Sequence, residues 1–160
     1  MKKIVTLIMA VILCMGTLTG CFSDPVADEF EKFLNTDMVE ANALYEDLKA
    51  EVSKWEGYTT SEELINSVDT VILPNLEQAT QKVEAIELAT DEVNSIREKY
   101  KKMLGLYKEG YELTLSGLKA DDEKIVEDAN AKIEEGLKIL EEYNKALEDL
   151  AAEKGLTIEY

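Results

Sequence analysis

Two cysteines and no histidine set the chemistry open to this chain. Cys14 lies inside the apolar run IVTLIMAVILCMGTL, and Cys21 follows directly on Leu18-Thr19-Gly20. A thiolate is the one strong, soft nucleophile among side chains, so Cys21 can form a stable thioether with an electrophile. The rest of the inventory is short. Without imidazole there is no histidine base, no Cys/His zinc set and no Glu-x-x-His di-iron pattern. No cysteine follows Cys21, so an intramolecular disulfide beyond it is impossible. Neither a Gly-x-Ser-x-Gly elbow nor a phosphate loop occurs. The acidic stretches DPVADEFE and ADDEKIVED lack the Asp-x-Asp-x-Asp-Gly spacing of a calcium loop. Two carboxylates could cleave a glycan, but among 34 acidic residues such pairs arise by chance. No catalytic, cofactor-binding or metal-ligating residue is assigned, and a non-enzymatic protein is expected.

Charge narrows the partners. Lys2 and Lys3 are the only charged residues before Cys21, so from there onward 34 acidic residues face 15 basic ones. Nucleic acid and anionic lipid both require a compensating basic patch, so no nucleic-acid function is expected. Membrane contact through the protein surface is disfavoured on the same ground. Hydrophobic residues make up 46% of the chain, enough for a core, so the acids are expected to coat folded elements.

The first twenty residues pair a basic start, MKK, with an apolar run of about 22 Å at ~1.5 Å per residue. That falls short of the roughly 30 Å hydrocarbon core and reads as a secretory signal. The segment Leu18-Thr19-Gly20-Cys21 resembles the lipobox of bacterial lipoprotein precursors. The resemblance implies that the Cys21 thiol is diacylglyceryl-modified, carrying fatty acids such as palmitate, that the chain is cut before Cys21, and that Cys21 becomes the mature N-terminus. The membrane is then a partner through lipid on Cys21. More than one acyl chain is what stable anchoring demands, at about 0.8 kcal/mol per buried CH₂. Phe22 stands where the inner-membrane retention signal of Gram-negative lipoproteins would have Asp. The expected place is the extracytoplasmic face of a cell membrane, or the outer membrane of a Gram-negative source.

The organisation that follows is a signal peptide over 1–20, a lipidated tether over 21–24 and a helical domain over 25–160. Within that domain apolar residues recur in steps of three and four. Ser23 or Asp24 caps a first helix with Pro25 at its first position. Its stripe runs from Val26 to Trp55 and stops at Gly57–Thr60. Thr60 and Glu63 form a capping box for a second helix reaching Ile86. Thr90 caps a third, running to Leu118, and Asp121 or Asp122 a fourth, with Gly155 as its C-terminal stop. Glu98–Lys102, Glu134–Lys138 and Glu141–Lys145 are spaced for i,i+4 pairing. The predicted fold class is all-α, an antiparallel four-helix bundle with long helices, beyond the N-terminal signal segment. The mature part is loosely similar to small helical lipoproteins of uncharacterised role.

Three features inside the helices raise functional questions. Pro74 removes a backbone donor and crowds the carbonyl of Thr70, which predicts a kink or break, read first as one tolerated in a long helix and alternatively as an opened backbone lining a ligand crevice. Gly105, Gly110, Gly117 and Gly136 each cost about 1 kcal/mol against Ala. Gly110 and Gly117 share a face, which predicts close approach of a helix or of a ring such as Trp55. Tyr100, Tyr107 and Tyr111 share a stripe, as core residues or as a platform for a sugar or peptide. The expected function is that of a membrane-anchored accessory module acting by binding, with cationic proteins or peptides as partners. A carboxylate-based glycan-acting enzyme and a structural spacer are the alternatives. Oligomeric state is not encoded in any pattern.

Overall fold

Asp24 starts the first helix because its side chain does what the backbone cannot. In a computed structural model, which describes residues 24–158, the Asp24 carboxylate accepts hydrogen bonds from the Val26 and Ala27 amides at 2.9 and 3.4 Å. Two of the four unpaired amides at a helix start are thereby satisfied. Pro25, which has no amide to satisfy, opens α1 (Pro25–Lys32). Cys21 and the expected signal segment over 1–20 lie outside the described residues.

α1 passes through a π turn (Phe33–Asp37) into α2 (Val39–Lys54), which tightens into a 3₁₀ turn (Trp55–Gly57). The expected capping box at Thr60 and Glu63 is formed in both directions and starts α3 (Ser61–Ser67). A second π turn (Val68–Ile72) leads into α4 (Leu73–Glu84). The long helices α5 (Asp91–Ala120) and α6 (Glu123–Lys154) complete an all-α chain, with no strand among the described residues. At about 1.5 Å per residue each of these two spans roughly 45 Å.

The second π turn is the structural answer to Pro74. A proline in an ordinary α-helix clashes with the carbonyl four residues back. Here the Leu73 amide bonds to the Val68 carbonyl, five residues back, so the chain is widened immediately before the ring arrives. Pro74 then falls in the first turn of α4, where its missing donor costs least.

The two adjacent aspartates divide the work of the α5–α6 turn. Asp121 adopts a left-handed conformation (φ 52°), and the Asp122 amide reaches back to the Gly117 carbonyl at 3.0 Å, terminating α5. Asp122 then caps α6, accepting from the Lys124 and Ile125 amides. Gly155 stops α6 in the same left-handed fashion, with the Leu156 amide bonded to the Ala151 carbonyl at 2.8 Å.

α5 and α6 share the most extensive contact in the fold, and glycines set its closeness. A Cβ on Gly110 would meet Ile133 Cγ1 at 2.7 Å, and one on Gly117 would meet Val126 Cγ2 at 2.7 Å. One on Gly136 would meet the Tyr107 ring at 2.6 Å. The expected close approach is present, and its partner for Gly110 and Gly117 is α6, whereas Trp55 meets Tyr111 edge-on. Each step toward the C-terminus of α5 is matched by an equal step toward the N-terminus of α6, from Tyr100–Tyr143 through Tyr107–Gly136 and Gly110–Ile133 to Gly117–Val126. These two helices therefore run antiparallel in one unbroken register. α4 packs on both α2 and α5. One continuous core, from Phe30 and Phe33 through Ile72, Leu76 and Met103 to Leu140 and Leu150, draws on α1, α2, α4, α5, α6 and both π turns, while α3 contributes only the buried Ser67 hydroxyl.

Candidate functional site

The few buried polar groups are used internally: Asn42, Glu51, Ser67 and Thr114 each make a hydrogen bond within the fold. Glu51 is 7% exposed, at the end of α2. Its carboxylate accepts from Ser67 Oγ at 2.7 Å, from the Tyr58 hydroxyl at 2.8 Å and from Lys54 Nζ at 2.6 Å. Ser67 in turn accepts from the Trp55 indole at 2.8 Å. The network pins the 3₁₀ turn and its following loop to the residue just before the second π turn. The Lys54 ammonium, followed by the Ser67 and Tyr58 donors, outweighs burial and holds the Glu51 carboxyl below its ordinary range. With three donors converging on it, this carboxylate reads as a clasp.

Its removal has a measurable consequence. Hydrogen bonds to a charged group contribute about 1.5–3 kcal/mol, less where water can replace a partner as it can at Tyr58 and Lys54. Glu51→Ala is therefore expected to cost about 2 kcal/mol in chemical denaturation, and Glu51→Gln less. A carboxyl whose folded pKa lies below its unfolded value stabilises fully above the unfolded value and loses that contribution as pH falls through the folded one. The advantage of the native protein over Glu51→Gln should accordingly shrink as pH drops below 4.5, the ordinary Glu value.

The tyrosine stripe lies inside the core. Tyr100, Tyr107 and Tyr111 are all buried. Tyr100 packs against Tyr143 with ring centroids 5.0 Å apart, and Tyr107 stacks parallel to Tyr45 at 6.1 Å. Burial pushes the Tyr45, Tyr100 and Tyr111 hydroxyls well above the usual phenol range, so they remain neutral. These rings offer no face to a sugar or peptide. The buried Tyr100 hydroxyl points at Asn42 Oδ1, 3.4 Å away.

Glu29 explains part of the first acidic stretch. It leaves α1 to accept from the Ala89 and Thr90 amides at 2.6 and 2.8 Å and from the Thr90 hydroxyl. Thr90 does stand at the N-cap of α5, as its type suggests, but its side chain donates to Glu29 and makes no capping bond. Among the described residues no group of three His, Cys, Asp or Glu side chains is placed to hold a metal ion.

The exterior has an order that the apolar stripes do not reveal. Glu127-Asp128, Glu134-Glu135, Glu141-Glu142 and Glu148-Asp149 recur every seven residues along α6, and all eight side chains are exposed. Seven residues are nearly two turns, so the pairs line one face for about 33 Å. The signal that finds this face is the count of acids at heptad spacing. Lys145 turns to Asp149 at 2.6 Å rather than to Glu141, and Glu98 bonds Arg97 and lies near Lys101 rather than Lys102. Val39, 42% exposed, is the only large apolar side chain standing out among the described residues. No described helix is long and apolar enough to cross a membrane.

This helical unit coincides with a known family. A family model described as Uncharacterised lipoprotein PM1805 matches residues 27–155. The chain belongs to this family. Neither a curated protein nor a solved structure matches it. Membership in a lipoprotein family implies a membrane-anchored place in the cell envelope. The match begins after Cys21, so it owes nothing to the Leu18–Cys21 pattern, and two non-overlapping parts of the chain lead to the same class. Cys21 itself lies outside the described residues.

Proposed function

We propose that this member of the lipoprotein family is held by lipid on Cys21 at the extracytoplasmic face of an envelope membrane. There it acts without catalysis, as an antiparallel four-helix bundle that binds cationic partners such as basic peptides or basic protein surfaces. The observation that carries the reading is the acidic face of α6, four exposed acid pairs at seven-residue intervals. It is supported by the interior, where no buried side-chain nitrogen or oxygen among the described residues lacks a partner. A regular row of carboxylates offers a basic chain several simultaneous contacts, each weak alone and together sufficient for capture.

The test is a titration of the mature, lipidated protein in detergent with a ten-residue lysine peptide, against a ten-residue glutamate peptide. Binding of the lysine peptide alone is expected, weakening at least tenfold as ionic strength rises from about 0.01 to 0.15 M, where the screening length shrinks from about 30 to 8 Å. Changing Glu134, Glu135, Glu141 and Glu142 together to Gln should cost a further factor of about ten, at several tenths of a kcal/mol per pair lost. Affinity that ignores salt, or that survives the four substitutions unchanged, contradicts the proposal.

A further inference from the structure

The start of α1 is fastened at one end of the molecule. Asp24, three residues after Cys21, is tied to Lys154 near the end of α6 at 3.1 Å. Glu29, one turn further on, is tied to the Ala89 and Thr90 amides at the start of α5. One end of the molecule is thus made of the start of α1, the 85–90 connection and the end of α6. From there α5 runs its 30 residues, about 45 Å, to the Asp121 turn. Lys119 beside Asp69 (3.6 Å), and Trp55 edge-on to Tyr111, place the 58–60 loop toward that same far end.

We propose that the protein stands on the bilayer on the Asp24–Thr90–Lys154 end and presents the 58–60 and 121–122 turns about 45 Å further out. This rests on lipidation at Cys21 as proposed above. Two constraints produce it. Three residues reach at most about 11 Å when fully extended, so Asp24 stays within that distance of the lipidated residue. Lying down would press the carboxylates of the flanks, including the α6 row, onto lipid headgroups, and against anionic lipid that is repulsive along the whole length. The short tether and the acidic flanks together leave the upright arrangement, with the α6 row running from the membrane outward.

The mature chain carries no thiol besides the lipidated one, so a single introduced cysteine can be labelled selectively. Thr59 and Thr157 are both exposed, Thr59 at the outer loop and Thr157 three residues past Lys154. Lipidated Thr59→Cys and Thr157→Cys proteins, each with a donor fluorophore, would be reconstituted into phosphatidylethanolamine–phosphatidylglycerol vesicles containing an acceptor-labelled lipid. Energy transfer is expected to be several-fold stronger from position 157 than from position 59. Equal transfer from both, or stronger transfer from 59, overturns the upright orientation while leaving the anchor intact. Protein that does not float with the vesicles overturns the anchoring and this inference with it.

Discussion

Replacing Gly136 by valine is expected to destabilise the protein by about 3 kcal/mol, the upper part of the range for overpacking a filled core. A Cβ at this position would sit 2.6 Å from two atoms of the Tyr107 ring, and that ring has nowhere to go. It is buried and stacked nearly parallel on Tyr45, which is itself core. Relief therefore requires α5 and α6 to separate, and their shared register spreads the displacement to the Gly110 and Gly117 contacts. For a domain of this size the thermal midpoint should fall by roughly 10 °C. Alanine at the same place recovers up to about 1 kcal/mol of helix propensity and should cost correspondingly less. Gly105 provides the opposite case on the same helix pair. It is exposed, and a methyl group added there would meet nothing within 4 Å, so Gly105→Ala should stabilise by up to about 1 kcal/mol. If both substitutions shifted the midpoint in the same direction, close packing would not be what these glycines are for.

The contrast between the two glycines shows what a sequence can and cannot convey. Glycine in a helical pattern signals either close approach or tolerated loss of propensity, and only the facing residue distinguishes them. The helix ends are legible because capping is local: Asp24, the Thr60–Glu63 box, Asp122 and Gly155 act on amides or carbonyls within a few residues of themselves. Thr90 stands where its type suggests, but for a different reason, since Glu29, sixty-one residues earlier, supplies its partner. The π turns are harder to see. Phe33 and Met38 are five residues apart and both fully buried, a spacing that an α-helix cannot place on one face. That interval announces the first π turn, but Leu34 beside it disguises the step as four. Glu51 escapes sequence reasoning because an apolar stripe is sought among apolar residues. It stands three residues after Leu48 and four before Trp55, squarely in the buried phase, and its charge is satisfied in part by Ser67 from another helix.

The anchor is the claim on which place, orientation and partner all depend, and it rests on residues 18–21 and on a family match over 27–155. Cys21→Ser exchanges a single atom, sulfur for oxygen, and removes the soft nucleophile that thioether formation requires while leaving the backbone unchanged. Loss of the acyl chains removes about 0.8 kcal/mol for every buried CH₂, far more than any surface contact of so acidic a chain could replace. The direct measurement is metabolic labelling with radioactive palmitate, followed by membrane fractionation, on the native chain and the Cys21→Ser variant expressed in parallel. The native protein should carry label and sediment with membranes, and the variant should carry none and should not mature to the anchored form. A Cys21→Ser protein that still incorporates palmitate at the native level would contradict lipid attachment at this residue.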